Sequence, residues 1–220
     1  MLLQVPFYLN RGHRCAQTAM KSVLKAVALQ KIFSYNELEE LTQHSKGKIT
    51  FPCQIASAFL RLGMDFRYYI KPNGLSIILS ADAIKLARES YGNYTEDLLS
   101  KTDTESLKNS AILLVGKKEV IEKEKKPTIT ELEELVKQER IPLCLINYDV
   151  FVGRENKFNG HYIIITGFSN GDIIYHDNGP KNAGANKISS VKRFEQAWDL
   201  CFFDHNLIVV STQNFKEKIS

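Results

Sequence analysis

Three residues in this sequence could together run nucleophilic chemistry: Cys15, His161 and Asp177. A thiol attacks a carbonyl carbon well only as its thiolate. The start of a helix favours that form through free N–H groups and the positive end of the dipole. Cys15 stands where the loop LNRGHR enters a periodic run in which Ala16, Ala19, Met20, Val23, Leu24 and Val27 share one helical face. His161 opens the strand-like run HYIIITGF behind Asn159 and Gly160, and a glycine there lets a substrate or second backbone come close. Asp177 ends the next run, DIIYHD, after a short SNG turn. In adjacent antiparallel strands the start of one lies beside the end of the next, so the carboxylate can hold the imidazole in one tautomer.

Each residue alone has an ordinary explanation: a small packed thiol, a polar strand edge, a turn-former in DNGP. Their order and placement together point to a cysteine hydrolase cleaving a peptide or related amide through an acyl-enzyme. The same triad could serve an acyltransferase or transpeptidase, and the same cleft a non-catalytic peptide-binding module. Among the other candidates, His13 is too near Cys15 along the chain to aim its ring at the sulfur. His176 alternates with Asp177 and belongs on the opposite face of its strand. His205 falls in a turn. Cys53, Cys144 and Cys201 lie inside apolar patterns and read as packing thiols. His13, Cys15 and His161 lack zinc-ligand spacing, and neither a phosphate-cradling loop nor a dinucleotide fingerprint is present. No cofactor and no metal are therefore expected.

The elements that must position these residues divide the chain into two halves. The first is mostly helical. Ser34 and Glu37 form a capping box ahead of ELEEL, Thr50 and Pro52 open a helix that Gly63 stops, and DFRYYI reads as a short strand. Ser80 is expected to cap a helix through ADAIKLARES ending at Gly92. The stretch 93–127 has no clear period and closes on a mixed-charge run. Thr128 and Glu131 cap another helix, after which IPLCLINYD, HYIIITGF, DIIYHD and LIVVS read as strands, interrupted by the helix SVKRFEQAWDL. Helices first and strands later is an α+β layout, with N-terminal helices packed on a C-terminal antiparallel β-sheet.

The net charge of +4 is small and its lysines are interleaved with acids, which argues against a nucleic-acid partner. The start carries no basic and apolar signal regions, and no apolar run reaches membrane-spanning length. Four widely spaced cysteines fit free thiols in a reducing compartment. The expectation is a cytoplasmic protein with a peptide or protein substrate, no nucleic acid and no membrane contact. Signal-independent secretion and the oligomeric state are left open.

These blocks resemble the papain-like cysteine peptidases of the bacteriocin-processing, double-glycine leader peptidase type. The matching stretches are VPFYLNRGHRCAQTAMKSVL, FSYNELEELT, AFLRLGM, ELEELVKQERIPLCLINY, GHYIIITGF, IIYHDNGP and SVKRFEQAW. The resemblance implies one papain-like domain over 1–220, with a diverged or inserted segment at about 72–127. It further implies a stand-alone member, without the membrane and ATPase domains of the exporting relatives. Cys15 would be the nucleophile, His161 its proton partner and Asp177 the residue orienting the ring. The oxyanion would meet the Cys15 N–H and a side-chain donor upstream. The family's oxyanion Gln falls at Leu9, so Asn10 is the nearest amide. Ala16 stands for the family's Gly, and Asn178–Gly179 replaces the Pro that usually follows the Asp.

Overall fold

The periodicity that begins at Cys15 becomes helix α1 (Cys15–Ala26), with Ala19, Met20 and Val23 fully buried along the predicted face. The computed structural model describes the chain except residues 11, 13, 28–30, 92–94, 155–158, 180–181, 199–203 and 213–220. Helix α2 (Tyr35–Leu41) starts at the expected box: Ser34 Oγ accepts from the Glu37 N–H at 3.3 Å, and the Ser34 N–H donates to Glu37 Oε2 at 2.8 Å. Helix α3 (Pro52–Arg61) places Pro52 in its first turn, where no N–H is needed, and Gly63 follows with φ +66°. Strand β1 (Phe66–Ile70) comes next.

The helix expected through ADAIKLARES is present, but it starts at Ala83 and Ser80 is not its cap. Asn73 adopts a left-handed φ of +61° and starts α4 (Gly74–Leu79). Ser80 ends that helix, its Oγ donating to the Ile77 carbonyl at 2.9 Å, and α5 (Ala83–Tyr91) begins only afterwards. Gly92, the expected stop, lies outside the described residues. Helices α6 (Thr95–Ser100) and α7 (Thr104–Leu114) and strand β2 (Val120–Glu122) fill most of the stretch whose pattern is mute.

The second half follows the predicted order. It runs α8 (Ile129–Lys137), β3 (Arg140–Asn147), the short α9 (Tyr148–Phe151), β4 (Gly160–Ser169), β5 (Asp172–Asp177), β6 (Gly184–Ser190), α10 (Val191–Trp198) and β7 (Asp204–Ser211). The strands form one sheet in the order β2-β1-β7-β3-β4-β5-β6. All its pairs are antiparallel except β1–β2 at one edge, which is parallel. Ile163, Ile164 and Ile165 are consecutive and fully buried, so the centre of the sheet is covered on both faces. Helix α1 packs on β4, α3 on β1 and β7, and α8 and α10 on β3. This is the expected α+β layering, extended by two strands from the first half. Strand β6 (GANKISS) has no sequence signal, because it is an edge strand whose one large apolar residue, Ile188, faces solvent.

Candidate active site

Strand register brings His161 and Asp177 together. Asp177 pairs with Ile163 across β4 and β5, and His161 lies two residues from Ile163 on the same face, so the two side chains are diagonal neighbours. His161 Nε2–H donates to Asp177 Oδ1 at 2.9 Å. That bond fixes the tautomer and leaves Nδ1 toward Cys15, whose sulfur is hydrogen-bonded to the ring. Cys15 is the first residue of α1 and remains partly exposed. The three residues selected from the sequence thus form one connected Cys–His–Asp array.

The electrostatics agree with that geometry. Burial alone would raise the Cys15 thiol. The His161 hydrogen bond and charge, with the N–H groups of Tyr162 and Ala16, outweigh it and hold the thiol below its ordinary 9.0. For His161 burial favours the neutral ring, yet hydrogen bonds to Asp177 and Cys15 lift it from 6.5 to about 9. Burial likewise opposes ionisation of Asp177, but His161 and Lys187 hold its carboxyl below the usual range. Both shifts push this arrangement toward a thiolate–imidazolium pair.

Asp177 is saturated by donors. Oδ1 also accepts from the Gly179 N–H at 3.1 Å, and Oδ2 accepts from Lys187 Nζ at 2.9 Å and from the Tyr148 hydroxyl at 3.4 Å. Gly179 carries φ +46°, and a Cβ there would sit 2.7 Å from the Ala183 Cβ, so glycine lets this turn close on the carboxylate. The Asn178–Gly179 departure from Pro therefore has a structural use. Asn178 also ties the loop before Cys15 to the site, because its carbonyl accepts from the Asn10 N–H at 2.8 Å and its Nδ2 donates to the Tyr8 carbonyl at 2.6 Å.

Asn10 is buried at 3% exposure while Leu9 is 49% exposed, so the loop turns the amide inward and the leucine outward. Asn10 Oδ1 accepts from the Arg14 N–H at 3.2 Å, and Asn10 lines the cleft. Ala16 is 2% exposed, its methyl absorbed into the core, so the missing glycine is accommodated. His176 takes the opposite face as expected, its Nε2 donating to the Val5 carbonyl at 2.8 Å. His13 and Cys201 lie outside the described residues. Cys53 and Cys144 are buried, and burial drives the Cys144 thiol far up. Trp198 is 1% exposed and belongs to the core, as its helical placement implies.

A cleft of about 550 Å³ opens over Cys15 and His161. Its two sides are braced by contacts that sequence reasoning missed. The Tyr162 hydroxyl donates to the Thr50 carbonyl at 3.0 Å, and Gln17 Nε2 donates to Thr50 Oγ1 at 3.0 Å and Thr42 Oγ1 at 3.1 Å. Tyr148 meets the His161 ring edge-on, centroids 5.0 Å apart. Lys187 is equally hidden, since it sits on an edge strand without an apolar pattern. Among the described residues no group of three or more His, Cys, Asp or Glu is gathered to hold a metal ion, and no helix is long and apolar enough to cross a membrane.

Comparison with known proteins places this geometry in context. The profile of a family described as guanylylate cyclase matches residues 13–210. Among curated proteins none matches the chain. Two solved structures match the chain over nearly their whole lengths, one of them with a TM-score above 0.5. A protein described as a C39-like peptidase from Bacillus anthracis is 12% identical, with a TM-score of 0.54 and 96% of each chain covered. The peptidase domain of Streptococcus ComA, described as a bi-functional ABC transporter involved in quorum sensing, is 15% identical with a TM-score of 0.48, covering 94% of this chain and 98% of that one. The papain-like peptidase fold expected from the sequence is the fold observed. The family that matches carries a different name from the peptidase family the motifs resemble.

Proposed function

The chain belongs to the guanylylate cyclase family, and for this member we propose a cysteine hydrolase that cleaves a peptide or related amide through Cys15, His161 and Asp177. The observation that carries the reading is His161 bridging Asp177, at 2.9 Å, and the thiol of a helix-initial cysteine. The family's description implies a guanine nucleotide and a divalent cation to carry its phosphates. The residues do not fit that group. No cluster of three or more metal-ligating side chains is gathered among the described residues, and the buried Asp177 carboxylate is already taken by His161 and Lys187.

In the hydrolytic reading the Cys15 thiolate attacks the carbonyl carbon and the π electrons move to oxygen. The oxyanion is met by the Cys15 N–H, which has no intrahelical acceptor, and by Asn10 Nδ2. As the tetrahedral intermediate collapses, His161 Nδ1–H protonates the departing amine and a thioester remains on Cys15. The neutral ring then takes a proton from water, hydroxide adds to the thioester, and the acid leaves as the thiolate–imidazolium pair re-forms. Asp177 holds the ring and stabilises its charge throughout.

The test is intact-mass spectrometry after mixing the protein with a simple thioester. The expected result is one acyl group on Cys15 that water removes, absent in Cys15→Ala. Acylation elsewhere, or none under conditions where the protein is folded, overturns the reading.

A further inference from the structure

The cleft over Cys15 has a charge pattern that the hydrolytic chemistry does not require. Its described lining includes Lys48, Lys101 and Arg154 and no Asp or Glu. Lys48 and Lys101 stand on the wall beside Gln17 and Thr50, where the loop before α3 meets the end of α6. The Ile49 N–H donates to the Lys101 carbonyl at 2.7 Å, Ile49 and Thr102 form a bridge, and Ser45 Oγ donates to Asp103. The segment that the sequence leaves illegible is thus fastened to the cleft and presents a lysine to it. Arg154 stands on the opposite, sheet-derived wall with Tyr148, its guanidinium 5.9 Å from that ring's centroid.

Counter-charges offset this pattern only in part. Lys101 Nζ donates to Asp97 Oδ2 at 2.7 Å, and Arg154 Nη2 lies 3.6 Å from Asp149 Oδ1. Neither acid is among the residues that line the cleft. Lys48 Nζ donates to the Ser100 carbonyl at 2.7 Å, a neutral partner. A substrate backbone lying over Cys15 passes between two cationic walls. The net charge of +4 adds a weak field of the same sign.

We propose that this cleft selects peptides with acidic side chains flanking the scissile bond, received by Lys48 and Lys101 on one wall and Arg154 on the other. The proposal rests on the hydrolase reading for the reaction, but its recognition half does not depend on the thiol. Exposed ion pairs are individually weak, so the three cations together amount to a preference on the order of tenfold at low ionic strength, shrinking as salt screens them.

The probes are three peptide acyloxymethyl ketones identical except for Glu, Gln or Lys beside the electrophile. The rate of Cys15 labelling is measured for each, alongside equilibrium binding of the matching unreactive peptides to Cys15→Ala. The expected order is Glu, then Gln, then Lys, in both measurements, with the spread shrinking as salt is added. Lys48→Glu/Lys101→Glu inverts the order. Lys117→Glu/Lys118→Glu, the same charge change on exposed residues outside the cleft lining, keeps it. Equal rates and equal binding, or an order unchanged by Lys48→Glu/Lys101→Glu, overturn the proposal. If the thiol reading alone fails, all three probes and iodoacetamide label slowly while the binding order persists, and the acidic preference stands.

Discussion

Replacing His161 with alanine tests the ion pair that the proposed chemistry depends on. A thiol at the ordinary 9.0 is about 1% ionised at pH 7. In the intact site His161 holds Cys15 below that value, while His161 itself stays protonated up to about 9. The thiolate is therefore lost as pH falls through the lowered Cys15 value, and the imidazolium is lost as pH rises through about 9. Between those limits the pair persists, and conversion to thiolate is worth up to about 100-fold in its population at pH 7. A less basic thiolate is also less nucleophilic, with a Brønsted slope of roughly 0.4–0.5, which takes back about tenfold. From the lost pairing alone, iodoacetamide labelling of Cys15 at pH 7 is thus expected to slow by up to about tenfold in His161→Ala. Burial, no longer opposed, pushes the remaining thiol up and widens the gap. The assay is the labelling rate across pH 4–9, read on the Cys15 peptide by mass spectrometry, with melting temperature as the check on folding. Cys53 and Cys144 are buried and should stay silent. Wild type should show a plateau reaching toward pH 9, and the variant a single rise at or above the ordinary thiol range. Superimposable profiles would refute the ion pair.

The other predictions separate the roles of neighbouring groups. Asn10→Ala should reduce acyl-enzyme formation roughly 100–1,000-fold, as loss of an oxyanion donor does, with little change in iodoacetamide labelling; equal losses in both would mean the loop, not the donor, was damaged. Lys187→Met removes the cation 2.9 Å from Asp177 Oδ2, so the carboxylate should stabilise the His161 imidazolium more strongly. The alkaline limb of the labelling profile should then move above about 9, and a downward shift would contradict the assigned electrostatics. Thr128→Ala breaks the capping box of α8, where Thr128 Oγ1 accepts from the Glu131 N–H at 3.2 Å. It should cost about 1 kcal/mol and lower the melting temperature by roughly 2–4 °C, with Cys15 labelling unchanged.

The three candidate residues were legible because each sits at an element boundary that local chemistry marks. The α1 periodicity starts at Cys15, and the capping boxes at Ser34 and Thr128 fix the helices that follow them within one or two turns. β-rich apolar runs and the turn residues between them likewise mark β4 and β5, so the diagonal meeting of His161 and Asp177 follows from strand order and register. The helix through ADAIKLARES was legible too, though its cap was not: Ser80 closes the helix before it, and α5 starts at Ala83.

What only the tertiary structure decided concerns long-range contacts without a local signature. Lys187 reaches Asp177 because β6 pairs with β5 at an exposed edge, where no apolar alternation is needed and none is present. Asn10 faces the cleft because Asn178, 168 positions later, holds its backbone, so a one-residue offset from the expected amide is absorbed by the loop. Lys101 joins the cleft through the Ile49–Thr102 bridge, which no periodicity announces. Cys15, His161 and Asp177 could be named from the sequence because helix starts and strand ends are local properties of the chain. The groups that saturate Asp177, turn Asn10 inward and charge the cleft come from contacts between distant segments, and those exist only once the chain has folded.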